Sequence, residues 1–162
     1  MSDLKLNWDN DLMSGDLGWG SGDLEPEDGL TTAVYISLFT DRRAADDDEI
    51  DNPEDPRGWW GDQLSEIPGD QIGSRLWLLD RSKTDRDTLL RAEEYAYEAL
   101  EWMIEDNVAS EITVTAFRNT LINPVTKNRV EVLGLVIVIT KLEGTEESFV
   151  FDNLWDAQLA AQ

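Results

Sequence analysis

From Thr84 to Leu154 the spacing of apolar residues changes period, from three and four residues to two, and that switch constrains the fold more than any other feature. Thr84-Asp85-Arg86-Asp87 supplies a capping hydroxyl and first-turn acids. Leu89, Ala92, Ala96, Ala99, Leu100 and Met103 then fall on one helical face, while Glu94, Glu98, Glu101 and Glu105 fall on another. An amphipathic helix ending near Asn107 is expected. Beyond it Ile112, Val114 and Ala116 alternate with Thr113, Thr115 and Phe117, which is the period of a strand. Asn123 to Asn128 reads as a hairpin turn into a strand over Val130 to Leu142, apolar on both faces from Leu133 to Ile139 except at Gly134. Gly144 to Glu147 turns into a last strand, Ser148 to Leu154. One helix followed by an antiparallel β-meander makes the fold class α+β.

The N-terminal half is less regular. Leu4, Leu6 and Trp8 alternate with polar residues and suit a short strand, and Gly15 to Gly29 reads as a glycine- and acid-rich loop. Leu30, Ala33, Val34, Ser37 and Leu38 recur at helical spacing, so a helix is expected over Leu30 to Arg42, although Val34-Tyr35-Ile36 also suits a strand. An acidic loop over 44–58 follows, with Pro53 and Pro56 among its acids. Asp70 or Ser74 is placed to cap a helical turn through Leu76 to Leu79. There is no internal repeat. At 162 residues the chain is expected to form one domain, 1–162, with its own core.

Charge and missing residue types narrow function. Thirteen Lys and Arg stand against 35 Asp and Glu, a net charge of −22. Phosphate backbones and anionic lipid are held mainly by cations, so nucleic-acid and membrane-surface partners are not expected. The chain has no Cys and no His. That removes disulfides, thiolate metal sites, serine triads and most zinc chemistry, leaving carboxylate catalysis or oxygen-ligated metals to an enzyme. No apolar run approaches the ~20 residues of a bilayer span, and Met1 to Lys5 lacks the start of a secretory signal, so a soluble, unexported protein is expected.

Several residues invite a functional reading beside a plainer one. Trp59-Trp60, between Gly58 and Gly61, either packs into the core or presents an indole to a partner. Arg57 and Arg75 either neutralise neighbouring acids or hold a loop or a partner carboxylate through bidentate bonds. The acids from Asp46 to Asp55 lack calcium-loop spacing, and Asp9-Asn10-Asp11 has Ser14 where the loop glycine belongs. Glu93-Glu94, or Asp85 with Asp87, offers the carboxylate pair of a glycosidase without an apolar pocket to raise one pKa. No cofactor, no metal and no catalytic residue is expected.

Three segments carry a family resemblance. Thr32 to Ala44, Arg57-Gly58-Trp59-Trp60-Gly61-Asp62 and Ile72 to Leu79, continued by Arg91 to Ala96 and Ala99 to Trp102, resemble the Mu-type contractile-tail baseplate protein family. Gly73-Ser74-Arg75-Leu76-Trp77-Leu78-Leu79 is more distantly similar to the gene-W and T-even gene-twenty-five wedge group. That group places Glu-Pro-Arg after its amphipathic helix, where this chain has Glu105-Asp106-Asn107-Val108. The resemblance implies a structural virion component in multiple symmetric copies, assembled in the host cytoplasm and placed in the tail baseplate. Its implied partners are other wedge proteins and tail sheath subunits. Partner contacts are expected at Arg57, Trp59, Trp60 and Arg75, and at the C-terminal strand and tail through Phe149, Phe151 and Trp155. The alternatives are a peptidoglycan-cleaving tail enzyme or a small acidic binding module.

Overall fold

A computed structural model describes residues 29–50, 52–64, 71–80, 82–122 and 125–154, together with the backbone of short strands between 3 and 27. Those strands form three antiparallel pairs: β1 (Asp3–Leu4) with β6 (Pro26–Glu27), β2 (Leu6–Asp9) with β3 (Ser14–Leu17), and β4 (Trp19–Gly20) with β5 (Asp23–Leu24). Pairing within Gly15–Gly29 corrects the expected loop. Backbone ladders a few residues long need no side-chain periodicity, so a Gly/acid composition does not announce them.

The rest is α+β. Helix α1 (Leu30–Phe39) buries Leu30, Val34 and Leu38, and α2 (Arg86–Leu100) is prolonged after one turn residue by α3 (Trp102–Glu105). Asp85, not Thr84, caps α2: its carboxylate accepts the Thr88 N–H at 2.9 Å, and the same bond holds its pKa below the usual carboxylate value. A carboxylate is the stronger acceptor at a helix start, and Thr88 Oγ1 is turned back to the Lys83 carbonyl at 2.7 Å.

Strands β7 (Ala109–Ile122), β8 (Arg129–Lys141) and β9 (Glu146–Phe151) form an antiparallel sheet in the order β7-β8-β9. The β7–β8 register pairs Ile112 with Ile139 and Ala116 with Leu135, so alternate residues face the helices. There Leu133, Leu135, Ile137 and Ile139 meet Ala92, Ala96, Leu100 and Met103 in a continuous core that also takes in α1. On the opposite face Phe117 lies across from Gly134, and a Cβ at Gly134 would stand 2.4 Å from Phe117 Cζ. The ring thus occupies the space a side chain would need.

α1 stops at Phe39, short of the expected Arg42. The reason is tertiary. Ser74 Oγ donates to the Leu38 carbonyl at 2.6 Å, Ser74 N–H donates to Thr40 O at 2.9 Å, and Arg42 N–H donates to Ser74 O at 3.0 Å. These bonds draw Thr40 to Arg42 into a short parallel bridge with Ser74. Gly73 permits the crossing: its φ is +105°, and a Cβ there would lie 2.2 Å from Thr40 O. Ser74 Oγ also accepts from Leu76 N–H at 3.3 Å, which starts the 3₁₀ turn Leu76–Leu79 as expected. Asp70 lies outside the described residues.

Candidate partner-binding site

Arg75 is the most heavily engaged cation among the described residues. Its guanidinium donates to Glu98 Oε2 from Nη2 at 2.7 Å and from Nε at 3.1 Å, and from Nη1 to both oxygens of Asp48 at 3.0 and 3.1 Å. It also stacks 4.5 Å from the centre of the Tyr95 ring, whose hydroxyl donates to Asp48 Oδ1 at 3.3 Å. Arg42 joins through Glu98 Oε1 at 3.3 Å and Gln71 Oε1 at 3.3 Å. Of the two functions weighed for Arg75, this is loop-holding: it ties the acidic loop to α2.

Electrostatics follow from that geometry. Burial works against the Arg75 charge, but hydrogen bonds to Glu98 and Asp48 override it and raise its pKa. Burial also opposes ionisation of Asp48, yet the Ala45 N–H and the bonds and charge of Arg75 hold its carboxyl below the usual value. Tyr95 is pushed up by burial and by the Asp48 charge. One member of the acid run is therefore spent internally, with Ala45 N–H on Asp48 Oδ2 at 2.8 Å.

Arg57 sits where the acidic loop ends, with φ at +44° followed by Gly58 at +113°. Its guanidinium pairs with Asp41 at 2.6 Å and stacks 4.7 Å from the centre of the Trp77 ring. Trp77 is itself anchored, with Nε1–H on Arg42 O at 2.8 Å. The twisted backbone at Arg57 and Gly58 leads directly into Trp59 and Trp60.

Neither of these indoles belongs to the core. Trp60 is 71% exposed and Trp59 39%, their ring centres 5.4 Å apart. Trp59 folds over Gly61, where a Cβ would lie 2.1 Å from its ring. The exposed pair opens the 3₁₀ turn Trp60–Leu64, whose Leu64 is exposed as well.

At the C-terminal end the residues divide. Phe151 is buried, packed edge-on against Tyr35 at 5.8 Å and Phe39 at 5.3 Å, so its ring is committed to the core and not to a neighbour. Phe149 is half-buried against Tyr35 at 6.5 Å. β9 borders the sheet, paired with β8 along one side. At the opposite border α2 covers part of β7, and Glu93 Oε1 accepts the Ala116 N–H at 3.0 Å. Trp155 and the tail beyond it lie outside the described residues.

Of the four acids considered for glycoside hydrolysis, Glu93 is engaged by the β7 backbone and Asp85 by the helix cap. Sequence reasoning passed over Ile36, Ile72 and Trp102, all exposed at the junction of α1, α3 and the Gln71–Gly73 segment. Ile36 entered only a strand-like reading and a family-like segment, Ile72 and Trp102 only family-like segments, and their meeting depends on the Ser74 bridge.

Comparison with known proteins places these features in a family. Residues 30–146 match the family model described as "Phage protein GP46", which spans α1, both 3₁₀ turns, α2, α3 and most of the sheet. The chain is 50% identical over 117 residues to "Baseplate protein gp46" of Escherichia phage Mu, covering 72% of this chain and 77% of that protein. It is 39% identical over 155 residues to "Mu-like prophage FluMu protein gp46" of Haemophilus influenzae, covering 96% and 98%. With the Gly73-Ser74 crossing, the Arg75 hub and the Trp59-Trp60 turn all inside the matched region, the chain belongs to the GP46 family of phage proteins.

Proposed function

We propose that this protein is a structural component of a contractile-tail baseplate, a wedge element that also initiates the sheath, present in several symmetric copies and acting by assembly, not catalysis. The observation that carries the reading is the exposed Trp59-Trp60 pair on a backbone held by Arg57 and Gly58, within the region shared with the phage Mu baseplate protein. Tryptophan is enriched among the residues that dominate binding, and an indole this exposed on an isolated chain is available to a neighbour. Other wedge proteins are the partners proposed for this turn. For the sheath subunits the proposed contact is the side of β9 away from β8, where no strand pairs among the described residues and strand addition could take place. Phe149, Trp155 and the tail lie on or beyond that strand.

Electron microscopy of particles carrying labelled protein tests the placement. The label is expected at the junction of baseplate and sheath. A label elsewhere in the particle, or saturable cell-wall hydrolysis by the pure protein that vanishes on replacing one Asp or Glu, would overturn the reading. Truncation after Leu154 tests the tail separately: fold and incorporation should persist while sheath polymerisation falls. Sheaths of normal length and yield would reject the tail's part in initiation.

A further inference from the structure

α1 carries apolar residues on its outward side as well as its inward one, and the surplus reaches the surface beside α3. Ile36 (46% exposed), Ile72 (38%) and Trp102 (38%) wall a groove of about 430 Å³ whose floor includes Ala33, Gly73 and Ala99. The floor stays low for a reason already given: Gly73 has no room for a Cβ. Trp102 is oriented by its Nε1–H on Ser37 Oγ at 3.1 Å. The volume falls within the ~300–1,000 Å³ typical of binding clefts. Asp62 Oδ1 accepts the Ile72 N–H at 3.1 Å, so the turn bearing Trp60 adjoins this groove.

Charge selects the occupant. Among the described residues Asp106 is the only ionisable one lining the groove, and Glu101 and Glu105, both exposed, stand either side of Trp102 in the chain. Arg42, which reaches Gln71 beside the groove, is taken up by Glu98. A second copy would bring another net charge of −22 to an acidic rim, whereas a cationic segment is attracted. We propose that the groove docks a basic segment of another protein, with one aliphatic or aromatic side chain between Ile36, Ile72 and Trp102 and flanking Lys or Arg against the Asp106 rim. The inference rests on the baseplate reading for where the partner is met, and on the groove alone for the partner's chemistry.

Two arms keep those failures apart. In solution, an acetylated lysine-flanked leucine peptide is titrated against the full chain and followed by tryptophan fluorescence, with glutamate-flanked and serine-substituted peptides as controls. The lysine–leucine peptide should bind at least tenfold tighter than either control, and the double substitution Ile36→Asp with Ile72→Asp should abolish the difference while far-UV circular dichroism stays unchanged. Equal binding of the three peptides, or binding indifferent to the double substitution, overturns the proposal. In assembled particles, the absence of native cysteine lets Gln71→Cys or Leu64→Cys, the latter exposed on the turn that Trp60 opens, carry a single photo-crosslinker. The Gln71 position should join a segment in which an apolar residue is flanked by Lys or Arg. Joining a second copy or an acidic segment, or joining nothing where the Leu64 position does crosslink, refutes the groove and spares the baseplate reading. Silence at both positions, with the peptide preference intact, refutes the baseplate reading and spares the groove.

Discussion

Arg75 holds two carboxylates that approach from opposite directions in the chain, Asp48 lying 27 residues before it and Glu98 23 residues after. Its side chain is 17% exposed and that of Asp48 9%, so losing the guanidinium leaves a nearly buried anion without its counterion. Arg75→Leu is expected to cost ~2–3 kcal/mol in urea unfolding, below the 3–5 kcal/mol typical of a fully buried pair because Glu98 stays partly solvated. Arg75→Lys should recover only part of that loss, since an ammonium cannot span both partners as a planar fork does. The pH dependence has a definite sign. Asp48 is depressed below its ordinary 3.8, so its contribution is fully present above that value and disappears as pH falls through the lower folded-state pKa. Urea midpoints measured from pH 6 to pH 2 should therefore fall less steeply for Asp48→Asn than for the parent chain. None of this hub is legible in the sequence, because ion pairs 20 or more residues apart leave no local spacing; what was legible was that Arg75 stood among acids with few competitors.

Elements were legible where one face is buried and the other wet. The α2 periodicity and the β7 alternation anticipated their structures because burial follows the period of the backbone. α1 was harder: apolar residues on both sides gave its helical reading a strand-like rival at Val34-Tyr35-Ile36, and its end is set by Ser74, 36 residues from Leu38. That crossing predicts a strict requirement at Gly73. Gly73→Ala combines a left-handed φ with a backbone clash, so a loss of at least ~2 kcal/mol is expected, readable as a lowered melting temperature. At the far end of the core, Phe151→Ala should cost ~3–5 kcal/mol by emptying the space between Tyr35 and Phe39. The same substitution at Trp60 should leave melting within ~0.5 kcal/mol of the parent while reducing incorporation into particles. A large stability loss for Trp60→Ala would return that indole to a structural role.

On the scale of the whole molecule the two borders of the sheet are unequal. Among the described residues β9 pairs only with β8, whereas β7, besides its pairing with β8, has its Ala116 N–H occupied by a carboxylate from α2. Strand-to-strand joining between copies has a direction, since an endless ribbon needs the β9 border of one molecule to meet the border of the next that Glu93 occupies. We expect the Glu93 contact to work as a stopper: with the Ala116 N–H taken, the ladder that an incoming strand would form along β7 is interrupted there. Removing the stopper tests the idea: Glu93→Ala should raise light scattering at high protein concentration and high salt, where charge repulsion is screened, while the parent chain stays clear. The group that guards the β7 border is thus a helix side chain, Glu93, reaching across 23 residues of chain to a single backbone N–H.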